Sequence, residues 1–534
     1  MNLIDDPWLL FRRSDGTQIH AAPPAIVSSD VVDLAFPRAD FNGAAWQFLI
    51  GLLQTAFAPI NRKQWLEFMK KPPSQTQLRE NLAPYRKAFE LLGDGPRFMQ
   101  DLDPLIEQRE ISVASLLIEA PGEQGLKSNT DHFVKRGVGE VVCQGCAAMA
   151  LFTSQTTGPA GGTGYRVGIR GGGPLTTLVL PHESNGPIWQ KLLLNVLTRD
   201  NSEFSYPDPQ PDDSRIFPWL KATRTSEKGS STPVTTHNDV HPLHVFWAMP
   251  NRCRLERDDT AGQCAICGQK SSTMVRRIRL KNYGYNYDGP WRHPLTPYWF
   301  NPKKPQDPPI SRKGQQGGLG YRHWEAFVLE DTQNQGNLPA LVVQDYLKTK
   351  SKTLKVERQA RLWVFGYDMK QNKPRGWYST EMPLMSIPED RIDAFLYLVR
   401  QLNEAAAKAA QNTRNAIKSA WFTRPGDAKG DFDFIEQRFW ELTTDAFYAR
   451  LGELSYSVTN RNSETLPPIV AQRWRDDIES AANTVFEEFA LSGEPEGMDL
   501  KRVITARSRL RAWLYGGKEM KNLHFQAQCE EESV

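Results

Sequence analysis

The spacing of apolar residues changes near residue 388 and divides the chain into two kinds of sequence. From Pro388 to about Phe422, the residues Phe395, Leu398, Val399 and Leu402 recur three and four positions apart, the period of one helical face. Ala405, Ala406, Ala409 and Ala410 carry that face onward; Pro388 suits a first turn and Pro425-Gly426 ends the segment. A second segment, about Phe432 to Leu454, repeats the period with Ile435, Phe439, Leu442 and Ala446. A third follows Pro467-Pro468 and uses Trp474, Ile478, Ala481 and Val485. The fourth begins at about Asp499, uses Val503, Ala506, Leu510 and Trp513, and meets a stop at Gly516-Gly517. Four such helices joined by short polar loops predict an antiparallel four-helix bundle over residues 387–534. Its aromatic stripe reads as core, because no Glu-x-x-His pair faces inward to hold a cofactor.

Upstream, apolar runs are short and broken by Gly and Pro, which predicts a large mixed α/β domain over residues 1–386 and an α+β chain as a whole. Asp40 to Ala58 reads as a short helix with Trp46, Ile50 and Leu53 on one side. Residues 122–140 form a polar, Gly-punctuated loop in which Phe133 stands alone beside Lys135 and Arg136. An exposed Phe there either tucks onto its own domain or docks on a partner. At 534 residues the chain exceeds one ordinary core, and a net charge of +3 excludes a polycationic coat while allowing local basic patches. Six cysteines in that length do not suggest a disulfide framework. The opening residues carry acid and no basic leader, and no apolar run reaches about 18 residues, so a cytoplasmic protein without a membrane span is expected.

Four of the six cysteines fall in two pairs, Cys143-Gln-Gly-Cys146 and Cys264-Ala-Ile-Cys267. Two-residue spacing lets a turn aim both thiolates at one ion, and together the pairs make a tetrathiolate zinc site. Such a site has no open position for water or substrate, so its expected role is a structural staple across more than a hundred residues. Ordinary buried thiols and a redox dithiol are the other readings. Cys253 and Cys529 are left as plain thiols.

Three segments carry candidate chemistry. Pro159-Ala-Gly-Gly-Thr-Gly-Tyr-Arg166, followed by Gly171-Gly-Gly173, is neither a Walker loop nor a dinucleotide fingerprint; its glycines permit close approach of backbone to another polymer, or simply make turns. After the second cysteine pair, Arg277, Arg279, Lys281, Tyr283, Tyr285 and Tyr287 share one face if the run is a strand, and cations interleaved with aromatics suit a phosphate backbone. Aromatic strands around Trp363 and Trp377 flank a polar tip from Asp368 to Gly376, which predicts a protruding hairpin carrying Lys370, Gln371 and Asn372. His237, His241 and His244 lack acidic companions at metal spacing and read as structural. No deaminase, Gly-x-Ser-x-Gly or His-Glu-x-x-His signature occurs, which argues against an enzyme.

Several of these motifs, in order, resemble the CasA family, the large subunits of type I-E CRISPR Cascade surveillance complexes. The resemblance rests on Asn2-Leu-Ile-Asp-Asp-Pro-Trp8, the first cysteine pair with Ala-Leu-Phe152, the glycine loop with Gly168-Ile-Arg-Gly-Gly172 and Pro174-Leu-Thr-Thr177, Leu192-Leu-Leu-Asn-Val-Leu-Thr198, Cys264-Ala-Ile-Cys-Gly-Gln269, Trp291-Arg-His-Pro294 and the terminal helices. It implies a non-enzymatic subunit that reads the protospacer-adjacent motif of double-stranded target DNA from the minor groove and starts strand opening for the guide RNA. The implied readers are a glycine loop, here Ala160, Gly161, Gly162, Thr163 and Gly164; a lysine finger, here Lys281 or Asn282; and a glutamine wedge, here Gln371 beside Lys370. Phe133 matches a loop aromatic used near the 5′ handle of the CRISPR guide RNA, with Lys135 in place of its polar partner. Other Cascade subunits and a separate helicase-nuclease are the implied protein partners. A zinc-stabilised nucleic-acid-processing enzyme and a purely scaffolding subunit are the alternatives.

Overall fold

The computed structural model describes residues 1–120, 137–227, 229, 234–331, 335–354, 360–370, 372–385, 387–461, 464–492 and 499–528. The chain is α+β and forms two compact units. One comprises Met1–Gly314 and Ala326–Leu384, the other Gln315–Glu325 and Met385–Val534.

The first unit is built around two helices, α1 (Ala39–Ala56) and α2 (Gln144–Thr157). From Phe41 to Thr55 nearly every residue of α1 is buried, not only the side carrying Trp46, Ile50 and Leu53. A helix enclosed on all sides needs its polar groups satisfied internally. Accordingly Gln54 donates to the Leu197 carbonyl at 3.0 Å and to the Tyr206 hydroxyl at 2.9 Å. Phe48 sits at the centre with Trp8, Phe89, Phe98, Phe152 and Trp247 edge-on around it, ring centroids 5.3–5.9 Å away. Edge-to-face contacts place the positive rim of one ring on the negative face of the next.

Small sheets surround this core. Strands β1 (Leu9–Arg13), β2 (Gln18–Ala21) and β3 (Val31–Leu34) form one. In chain order the next are β4 (Glu110–Ser112), β5 (Val142–Cys143), β6 (Thr176–Leu180), β7 (Arg252–Asp258), β8 (Gly262–Gln263), β9 (Lys270–Ser271) and β10 (Met274–Lys281). In the second sheet β10 pairs antiparallel with β4, β5 and β7. Strands β11 (Tyr298–Trp299), β12 (Ile310–Ser311) and β13 (Asn337–Leu338) form a third, and β8 pairs with β9. The hairpin of β14 (Ala360–Lys370) and β15 (Lys373–Leu384) joins β6 along β14. Gly366 lets that hairpin seat closely: a Cβ there would stand 2.7 Å from the Pro174 carbonyl oxygen.

The second unit is helical: α3 (Ile392–Trp421), α4 (Asp433–Arg461), α5 (Pro468–Ala490), α6 (Leu500–Gly516) and α7 (Lys518–Gln528). A fifth helix thus follows the expected stop, because Gly517 adopts an extended conformation (φ −65°, ψ 147°) that ends α6 and lets the chain re-enter a helix. The apolar face of α3 is buried as its spacing predicts. On α4 it holds only for the first turns: Ile435 and Phe439 are buried, but Leu442 is 37% exposed and the buried line continues through Thr443, Phe447, Leu451 and Leu454. The cause is a segment distant in sequence. Tyr321 stacks on Phe447 with centroids 4.2 Å apart and shares a 2.9 Å hydrogen bond with the Thr443 hydroxyl, so a threonine becomes core. Trp513 on α6 is likewise 36% exposed, its place in the core taken by Leu514. No helix among the described residues is long and apolar enough to cross a membrane.

Candidate metal centre and nucleic-acid interface

Cys143 closes β5 and caps α2, whose first turn carries Cys146; the Cys146 N–H points at the Cys143 sulfur, 3.5 Å away. The second pair lies in the loop between β8 and β9. There the Cys264 N–H donates to the Gln269 carbonyl, the Gly268 N–H donates to the Cys264 carbonyl, and Gly268 holds φ +75°. The Ala265 N–H reaches across to the Val141 carbonyl at 2.8 Å, joining the two pairs through backbone.

All four sulfurs lie within 4.8 Å of one another, with Cys143 and Cys267 at 3.6 Å. A tetrahedral ion with metal–sulfur bonds of about 2.3 Å separates its ligands by about 3.8 Å. Four soft donors at this spacing fit a sulfur-preferring metal, and the cluster can hold one. Crowding of the four thiols sets their acidities apart. Cys146 is pushed well above the usual thiol range by bonds with Cys143, Cys264 and Cys267 and by burial. Cys267 is held well below it by bonds from Cys143, Cys146 and Cys264, and Cys264 is lowered to about 6 by bonds from Cys143 and Cys146. Cys253, buried against Gln155, is apart from this cluster and its thiol is pushed up to about 12 by burial.

The same frame carries the glycine loop. β10 starts opposite the centre, with Met274 paired to Cys143 and Val275 to Val142. At its far end the Asn282 side chain donates to the Thr163 carbonyl at 2.7 Å, and the Tyr283 N–H donates to the Gly164 carbonyl at 2.7 Å. Gly164 holds φ +78°, and a Cβ on it would stand 2.8 Å from the Tyr283 ring. The loop closes on itself through a Tyr165 N–H bond to the Gly162 carbonyl, while nothing lies within 4 Å of a Cβ built on Gly162. The structure therefore brings Ala160–Gly164 and Lys281–Asn282 together. Lys281 is half-buried, and its ammonium has no hydrogen-bond or ion-pair partner among the described residues.

The tyrosine-and-arginine face does not form. A bulge between Val275 and Arg277 breaks the alternation, and Tyr283 turns through φ +63°. Arg279 is engaged by Glu110, Glu256 and the Gln108 carbonyl at 2.5–2.7 Å. Tyr285 is buried, and Tyr287 donates or accepts at 2.8 Å with His244 inside the core. His244 is structural, as its sequence context indicates: burial pushes its pKa down to about 4.

The hairpin forms, but its polar tip is shorter than the predicted Asp368–Gly376. Lys370 pairs with Lys373, and Asn372 holds φ +64°. Asp368 is buried, accepting from Arg375 at 2.6 Å and Tyr378 at 3.1 Å. Lys370 is exposed. Gln371, Phe133 and Lys135 lie outside the described residues. Sequence reading also missed Lys313, which donates to the Arg170 and Gly172 carbonyls at 3.1 and 2.6 Å and so props the Gly171–Gly173 stretch; no local motif marks it.

A family model described as CRISPR-associated protein Cse1 matches residues 2–485. Among solved structures, CasA of Thermus thermophilus is similar at 16% identity, with 96% of this chain and 99% of that chain covered and a TM-score of 0.66. Thermobifida fusca Cse1 matches at 16% identity over 99% of this chain and 98% of that one, TM-score 0.67. A chain of a CRISPR RNA-guided surveillance complex matches at 14% identity over 97% and 99%, TM-score 0.63. At such identities the structural likeness is one of fold.

Proposed function

Because the chain belongs to the CRISPR-associated Cse1 family, we propose that it is the large subunit of a type I-E Cascade complex and reads the motif that flanks a target in double-stranded DNA. It reads from the minor groove, begins duplex opening for guide-RNA pairing, helps recruit a helicase-nuclease, and is not itself an enzyme. The minor groove offers a degenerate donor and acceptor pattern. Backbone amides and one cation suffice to read it loosely, and guide pairing supplies the remaining specificity.

The observation that carries this reading is the clasp of the glycine loop by Asn282 and Tyr283 at the end of a strand that starts beside the cysteine cluster. A zinc ion held by Cys143, Cys146, Cys264 and Cys267 would fix that strand, and its role is structural. The Asn282 amide is spent on Thr163, which leaves Lys281 as the cation able to reach a base edge. Gln371 between Lys370 and Asn372 is the wedge, and Phe133 with Lys135 meets the guide RNA near its 5′ handle.

The test uses the reconstituted complex with Lys281→Ala and Gln371→Ala. Binding and opening of a motif-bearing duplex weaken by at least about tenfold, the loss of one good base-edge contact, while pairing with a pre-opened target is unchanged. Equal loss on both targets would point to a scaffolding role instead.

A further inference from the structure

The helical unit carries a cationic face that the motif reading does not use. Between Leu500 and Gly517 there are five cations, Lys501, Arg502, Arg507, Arg509 and Arg511, and no carboxylate. Val503, Ala506, Leu510 and Leu514 bury the opposite side of α6. Arg502 is committed to the end of α3, donating to the Ala420 carbonyl and the Thr423 hydroxyl at 2.9 Å, and Arg507 pairs with Glu487 at 2.5 Å. Lys501, Arg509 and Arg511 have no ion pair or side-chain hydrogen bond among the described residues. At 100° per residue, Lys501, Ser508 and Ala512 run down the middle of the exposed side, with Arg509 and Arg511 on its two flanks. Tyr515, 67% exposed, closes the row.

A cavity of about 300 Å³ opens where the first turns of α6 meet the end of α3. Its lining includes Lys501, Arg502, Arg509, Ser419, Thr423 and Thr505, against one carboxylate, Asp499, which is bonded to the Arg502 N–H at 3.0 Å. Phe422, 37% exposed, stands at its edge. The α6 dipole adds positive potential at the same place.

We propose that this cavity and the exposed strip of α6 form a second nucleic-acid contact, which seats a phosphate and tracks the backbone of a single strand without regard to sequence. From Lys501 to Tyr515 the strip spans about 21 Å, room for about three nucleotides. Cations on both flanks suit a phosphodiester chain, small and hydroxyl side chains between them admit the sugars, and Tyr515 and Phe422 offer rings for bases. The contact lies in the other compact unit from the glycine loop and does not depend on the motif reading.

The test measures binding of a fluorescent 20-nucleotide oligothymidine to the full chain across a salt series. In the Lys501→Gln, Arg509→Gln, Arg511→Gln variant, affinity falls at least tenfold and the salt slope drops by about two, as the loss of three phosphate contacts requires. Tyr515→Leu with Phe422→Leu costs a further severalfold on the single strand and leaves binding to a blunt duplex unchanged. A control removing three exposed lysines of the first unit, Lys63→Gln, Lys87→Gln and Lys303→Gln, keeps wild-type affinity. Equal loss in the control, an unchanged slope, or displacement by polyglutamate as effective as by unlabelled strand would each overturn the proposal, the last in favour of an acidic protein partner.

Discussion

The two units of this protein are held together by different kinds of side chain. In the helical unit the stabilising residues repeat: Leu398, Leu402 and Ala409 on α3, and Ile478, Ala482 and Val485 on α5, are fully buried at helical spacing. Around the candidate sites of the first unit, outside its aromatic core, they occur once each: a cysteine quartet, a glycine at φ +78°, an asparagine on one carbonyl. Repetition spreads stability over many equivalent contacts. Singular contacts concentrate it at a few sites, so substitutions there should loosen the first unit and leave the second intact.

The largest effect is expected at the cysteine cluster. Cys264→Ser with Cys267→Ser removes half the donors, and metal content by mass spectrometry falls to background. The first unit then loses hydrogen-exchange protection from Val142 to Tyr283, a destabilisation of several kcal/mol, while α3–α7 keep theirs. Loss of protection in both units alike would erase the contrast. Next comes the reverse perturbation. Leu510 is fully buried on α6, and Leu510→Ala costs about 2–5 kcal/mol, read as earlier urea unfolding of the helical unit with metal retained.

Acid sharpens the same division. His244 is neutral in the folded protein, with a pKa near 4 set by burial, which outweighs its bond to the Arg215 carbonyl. The unfolded chain takes up the proton more readily, from about pH 6.5 downward. The stability this group supports is therefore whole above pH 6.5 and erodes as the pH falls toward 4, the loss reaching about 2–3 kcal/mol at pH 4.5. Exchange measured at pH 7.5 and 4.5 should show the first unit loosening first, and His244→Gln should narrow the difference. The smallest effect is Gly164→Ala, about 1–2 kcal/mol from left-handed backbone and the crowding of Tyr283. Under the proposed function it is best read as lost duplex opening, not as lost stability.

What the sequence made legible follows from the same contrast. Cysteine spacing and helical periodicity are local signals, so the quartet comes together and α3 buries the face that its pattern marks. The hairpin is legible too, because two aromatic runs around one polar break have few other solutions. Nonlocal partners decide the failures. Nothing near Thr443 announces that Tyr321 will bond to it, and nothing near Asp368 announces that Arg375 and Tyr378 will enclose it. The tyrosine stripe after β10 misleads because one residue at φ +63° ends the alternation on which the reading depended.

Within the glycine loop, Gly164 is wedged under an aromatic ring, while a side chain built on Gly162 would meet no atom. The two glycines therefore differ in how freely they can be replaced. Gly164 belongs to the scaffold and tolerates little, whereas Gly162 is an open handle at which an added hydroxyl, amide or methyl would alter the loop's exposed surface without disturbing its support. Under the proposed motif reading, saturation of that single codon is the natural place to begin changing which flanking sequences are bound.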